Sequence, residues 1–204
     1  MCSRFEIKVM TDELVRRFDL PWPPDDFGPE DFAGFTACLE RDDVRPTDPL
    51  VAIQSDGRAS LRRWGPPAPW DGKPMINART ETLFEKPTFR PFLDRRFLVP
   101  ATAYFEWRKE GRARHRNRIE CPESDLFSFA GIGNETHVIV LTIQPAPDIA
   151  HIHGRMPVIL EDREAEARWL NAPLGEAVEA LHSRAGLKAE EEKPRPKAQG
   201  DLFG

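Results

Sequence analysis

Hydrophobic positions in this chain come in short runs rather than long stripes. LVAI (50–53), ASLRRW (59–64), LFSFAGI (126–132), HVIVLTI (137–143) and VIL (158–160) are rich in β-branched or aromatic residues and predict short strands. FLVPATAYFEW (97–107) predicts two strands separated by a break at Pro100. Asp56-Gly57 marks a turn after the first run. Helical spacing is found in three places. Thr11 is positioned to cap a short helix over DELVRRF, with Leu14, Val15 and Phe18 on one side. EDREAEARWLNA (161–172) and LGEAVEALHSR (174–184) have helical composition. PWPPDDFGPEDF (21–32) predicts a Pro-rich loop. RWGPPAPWDGKP (63–74) predicts another, because four Pro and two Gly leave no room for a helix. From Gly186 onward the chain turns to Lys, Glu and Pro, which predicts a disordered tail. The expected organisation is one domain over 1–185 and a tail over 186–204. No internal repeat is found. The expected class is α+β, a mostly antiparallel β-sheet or barrel core with peripheral helices.

Composition narrows the setting. The 204 residues are 40% hydrophobic, with 13 Phe and 5 Trp, enough to bury a core. The 20 Pro are about twice the usual share and favour short strands and shaped loops. No apolar run approaches the roughly 18 residues a membrane helix needs. MCSRFEIKVMTDEL lacks the apolar stretch of a signal peptide. Cys2, Cys38 and Cys121 form neither a disulfide framework nor a zinc spacing. A cytoplasmic monomer is expected. The net charge of -5 hides an asymmetry. Residues 1–57 hold 6 Lys/Arg against 13 Asp/Glu, residues 58–118 hold 15 against 6, and residues 119–204 hold 8 against 15. A basic segment between acidic flanks fits either one basic face or a set of solvated strand faces.

Four residues carry candidate chemistry. Removal of Met1 would make Cys2 the N-terminus, an aminothiol with an α-amine and a thiol on adjacent carbons. Both nucleophiles are accessible near neutral pH. Such a group captures an aldehyde as an imine that the sulfur closes to a thiazolidine. It can also serve as a hydrolase nucleophile with its own amine as base, or position 2 can be an accident of sequence. Glu106, between Phe105 and Trp107, is either a desolvated general acid/base or a solvent-facing strand residue. His151 and His153 would share a side of a strand, a metal pair without a third ligand; alternatively His153 is structural. Asn77, in PMINARTET, is a site residue or a turn former.

The joint order of these motifs resembles the SOS response-associated peptidase (SRAP) family of abasic-site processing proteins. The resemblance runs through MCSRF, RWGPPAPWDGKPMINARTET, RRFLVPATAYFEWRKEG, SFAGIG and IHGRMPVIL, over roughly residues 1–170. It implies a β-rich domain that holds an N-terminal Cys in a groove and crosslinks covalently to abasic sites in single-stranded DNA. The family's catalytic residues fall on Cys2, Asn77, Glu106 and His153. Its DNA-contacting positions fall on Arg4, Trp70, Arg79, Thr142 and Arg155. The family's peptidase name implies removal of residues ahead of its own Cys. No cofactor and no metal are implied, and any nucleoid association would come through DNA. The sequence departs from the family's usual pattern at Ser3, where Gly is usual, and at Phe97, where Cys is frequent. Near the end, Gln199, Asp201, Leu202 and Phe203 resemble the pentapeptide by which bacterial repair proteins bind the sliding clamp, with Gly200 where Leu is common.

Overall fold

The computed structural model describes residues 2–23 and 28–193. Its strands are β1 (Arg4–Lys8), β2 (Glu40–Val44), β3 (Pro49–Ile53), β4 (Ala59–Trp64), β5 (Asn77–Arg79), β6 (Arg96–Ala101), β7 (Ala103–Glu110), β8 (Ala113–Glu120), β9 (Phe127–Gly133), β10 (His137–Ile143), β11 (Met156–Pro157), β12 (Ile159–Leu160) and β13 (Lys188–Glu191). The helices are α1 (Thr11–Phe18), α2 (Pro29–Leu39), α3 (Arg163–Asn171) and α4 (Leu174–Glu179). This is the expected α+β class with mostly antiparallel pairing.

The apolar runs build a closed ring. Strands pair in the order β10, β4, β3, β6, β9, and β9 pairs back onto β10. Closure removes the open edges that short hydrophobic strands would otherwise expose. The tight β9–β10 connection needs Gly133, where a Cβ would lie 2.2 Å from the His137 carbonyl oxygen. A second sheet, in the order β13, β8, β7, β1, β2, lies alongside. Phe5 of β1 joins the two by packing edge-on against Trp64 of β4 and Phe129 of β9, at 5.2 and 5.8 Å between ring centroids. Thr102 is the corner between ring and sheet. Its N–H donates to the Glu6 carbonyl at 2.9 Å and its hydroxyl to the Glu6 carboxylate at 3.1 Å.

Several local expectations are corrected. The strand break falls at Thr102, not Pro100, which sits inside β6 opposite Ser128. Thr11 is inside α1 rather than its cap; Met10 holds the extended cap conformation, and its carbonyl accepts from Leu14. The end of the Pro-rich stretch 21–32 is helical, because Pro29 sits at the helix start, where its missing N–H costs nothing. The Asp31 carboxylate accepts from the Gly28 N–H there at 2.9 Å. α4 ends at Glu179, short of the predicted 184. His151 lies in a turn, not on a strand with His153. The tail does not begin at Gly186: residues 188–191 form β13, paired with β8 from Lys188↔Glu120 to Glu191↔Asn117. Glu191 of β13 pairs with Arg108 of β7, and Glu192 just after it with Arg116 of β8, which favours order where composition alone argued for none. Gln199, Asp201, Leu202 and Phe203 lie outside the described residues.

Candidate active site

Strand pairing and a loop bring four of the predicted residues together where the ring meets the second sheet. Cys2 precedes β1 and is 1% exposed. β1 runs antiparallel to β7, with Arg4 opposite Phe105, so the N-terminal end of β1 lies beside Glu106. Asn77 opens β5, which is held parallel to β10 with Asn77 opposite Val140. The loop before it is a tight excursion: Gly65 has φ +85°, and a Cβ there would meet Ile76 at 2.8 Å. The excursion closes through a Pro67–Pro74 bridge and returns the chain to Asn77. His153 follows β10 on the turn leading to β11.

The Asn77 amide N–H donates to the Cys2 carbonyl oxygen at 2.6 Å. Its Oδ1 is buried and accepts no hydrogen bond among the described residues. The Cys2 thiol donates to the Arg4 carbonyl at 3.6 Å. Burial pushes this thiol far up, and the Glu106 charge adds to the rise. Glu106 is 2% exposed, and burial pushes its carboxyl up to about 7. His153 Nδ1 lies 3.7 Å from Glu106 Oε1 and accepts from the Arg155 N–H at 3.1 Å. Burial lowers the His153 pKa. The site therefore joins a protonatable carboxyl, a neutral imidazole, an oriented amide and a masked thiol. No group of three or more metal-ligating side chains occurs among the described residues.

The five predicted DNA-contacting residues are placed differently from one another. Trp70, at the tip of the loop before Asn77, is 66% exposed. Arg79 is exposed and makes no ion pair among the described residues. Arg4 is ion-paired to Asp43. Arg155 is buried, its guanidinium bidentate on Glu81 at 2.6 and 2.8 Å and donating to the Thr142 carbonyl at 2.5 Å. Thr142 is fully buried, its hydroxyl donating to the Ala78 carbonyl at 3.4 Å. Glu81 and Tyr104 belong to this neighbourhood and were not singled out from sequence. Glu81 lies in the quoted INARTET stretch. Tyr104 lies two residues before Glu106, on the same side of β7. The basic central segment does not form one free face. Arg108, Arg116 and Arg118 are paired with Glu6, Asp43, Glu110, Glu120, Glu191 and Glu192.

A closed β-ring with an adjoining antiparallel sheet and a buried Cys beside Glu, Asn and His defines the structural class. The chain belongs to the family described as SOS response associated peptidase (SRAP), which it matches over residues 1–193. It is 35% identical over 190 residues to the abasic site processing protein YoqW of Bacillus subtilis (84% of this chain, 80% of the relative). It is 27% identical over 191 residues to the abasic site processing protein YedK of Escherichia coli (83% and 79%). A solved protein from Bacteroides thetaiotaomicron superposes with TM-score 0.78 at 25% identity, covering 94% of this chain and 92% of that one. No helix among the described residues is long and apolar enough to cross a membrane.

Proposed function

We propose that this protein crosslinks covalently to abasic sites in single-stranded DNA through Cys2 and so shields the lesion from strand cleavage. The observation that carries the reading is the convergence of Asn77 and Glu106 on Cys2: the amide is bonded to its carbonyl, and the carboxyl is held at about 7 beside its thiol. Removal of Met1, by excision or by peptidase-type self-processing, frees the Cys2 α-amine. The amine adds to the C1′ aldehyde of the open-chain sugar and gives a carbinolamine. Glu106, still partly protonated near neutral pH, gives a proton to the departing hydroxyl; water leaves and an imine forms. The Cys2 sulfur then adds to the same carbon, its proton passes to the nitrogen, and a five-membered thiazolidine closes. One water is lost overall. Asn77 fixes the attack geometry through its bonded N–H and its open Oδ1. His153 shuttles protons on the sugar. In the reverse direction, the Glu106 carboxylate takes part in ring opening and so supports release.

On the DNA side, Arg79 neutralises a phosphate and Trp70 stacks on a base. Arg155 takes a second phosphate in exchange for Glu81, and Thr142 holds the Arg155 guanidinium in place. Arg4 contributes charge two residues from the nucleophile. The tail residues Gln199, Asp201, Leu202 and Phe203 recruit the protein to a sliding clamp. The raised thiol argues against a thiol hydrolase acting on peptides, because that reaction needs a thiolate at the outset. The amine-first route does not. Uracil-containing single-stranded DNA treated with uracil glycosylase tests the reading. A denaturant-stable protein–DNA band supports it; a gel shift without a covalent band, or peptide turnover in its place, overturns it.

A further inference from the structure

The amine-first route leaves one step exposed. Ring closure needs the Cys2 sulfur as a nucleophile, yet burial holds its proton on. A donor able to stabilise the forming thiolate would remove that obstacle. The structure holds a candidate in Tyr104. Its side chain is fully buried, and its hydroxyl makes no hydrogen bond among the described residues. A buried hydroxyl without a partner is costly, and a Phe would suit the surroundings better. Those surroundings are apolar on the ring side: Tyr104 lies opposite Phe5 and Ile119, with its ring edge-on to Phe129 at 6.1 Å. On the site side, Glu106 follows two residues on along the same face of β7, and Cys2 immediately precedes β1, the strand paired with Tyr104. Burial first, and then the neighbouring Cys2 and Glu106, hold the phenol proton on well above the ordinary tyrosine range.

We propose that Tyr104 is a positioning residue for ring closure, its hydroxyl donating a hydrogen bond to the Cys2 sulfur as that sulfur adds to the imine carbon. The inference rests on the crosslinking reading above. In the step, the C–S bond forms, the C=N π pair becomes the N–H bond, and the thiol proton is the one that reaches nitrogen. The Tyr104 proton is shared with the sulfur and retained.

The test uses full-length Tyr104→Phe protein with Met1 removed, in two measurements. The first follows reaction with abasic single-stranded DNA and separates borohydride-trapped imine from adduct that is stable without borohydride. Imine formation should match wild type. Ring closure should slow by about 10- to 100-fold, the loss of one charge-assisted hydrogen bond. The second follows Cys2 alkylation by iodoacetamide against pH, located by mass spectrometry. The Glu106→Gln background is included, because Glu106 and His153 also face this site. Tyr104→Phe should move the alkylation midpoint upward in both backgrounds. Equal slowing of imine formation and closure would make Tyr104 merely structural and overturn the inference. So would an unchanged midpoint, or a shift that vanishes in Glu106→Gln, which would make the carboxyl its partner. If wild type forms neither imine nor adduct, the crosslinking reading fails, and the ring-closure role fails with it. The alkylation midpoint then still decides whether Tyr104 meets the sulfur.

Discussion

Glu6 and Glu106 are buried carboxylates on neighbouring strands, and their surroundings differ in kind. Glu6 on β1 receives the Arg118 guanidinium at 2.8 Å and the Thr102 hydroxyl at 3.1 Å. Glu166 on α3 is treated the same way, bonded by Arg17 at 2.8 and 3.0 Å and by Ser128 at 2.8 Å. Glu106 lies beside a thiol and an imidazole, and burial outweighs the groups that favour its charged form, so its carboxyl rises to about 7. Guanidiniums from strand and helix thus go to carboxylates that hold the fold together. Among the described residues, the carboxyl raised to neutrality is the one at the Cys2 site. Perturbation of this kind, in a cluster with a nucleophile, marks chemistry rather than packing.

Glu106→Gln breaks the contrast at its active end. Crosslinking should slow by about 10²–10⁴-fold, the usual loss for an acid/base group, in a protein that remains folded. Single-turnover kinetics with abasic DNA check this. Stability against pH sharpens the point. A carboxyl raised to about 7 favours folding fully below its ordinary value near 4.5, and that contribution is lost as pH rises through 7. Relative to Glu106→Gln, wild type should lose up to about 3 kcal/mol between those limits, read by denaturant melts at several pH values. Glu166→Gln should do the reverse: leave crosslinking unchanged but cost about 2 kcal/mol of stability by unpairing Arg17, which is only partly shielded. Arg79→Ala is a smaller change, lowering the log–log salt slope of single-strand binding by about 0.7 with the fold intact. Arg155→Ala should lower the slope and also the melting temperature, because it removes the guanidinium from Glu81 and leaves the Thr142 carbonyl with the Thr80 hydroxyl at 3.4 Å as its donor. Smallest of all, deleting residues 199–204 should leave crosslinking unchanged and remove binding to a bacterial sliding clamp in titration.

What was legible in the sequence follows the same division. Apolar runs such as HVIVLTI announce β10 residue for residue, because a strand buried on both faces has no other composition available. The second sheet was harder to read. β2 (ERDDV), β8 (ARHRNRIE) and β13 (KAEE) look like solvated segments, and their pairing is supported by ion pairs that only the fold creates. Arg116 reaches Asp43 and Glu192 across three strands, and its guanidinium covers the Phe105 ring at 3.7 Å. A charge count along the chain cannot reveal partners 70 residues apart. The motifs singled out Cys2, Asn77, Glu106 and His153, which the fold brings together. Tyr104 was not, because an aromatic residue in a strand is unremarkable until its hydroxyl is seen to lack a partner.

Intact-mass measurement of the product with an abasic oligonucleotide tests the central claim most directly. The account predicts protein lacking Met1 plus oligonucleotide minus one water, stable to heat without borohydride and absent with Cys2→Ala, which retains only an imine that borohydride can trap. A heat-stable adduct of the same yield in Cys2→Ala, or wild-type protein that keeps Met1 and still crosslinks, would contradict it.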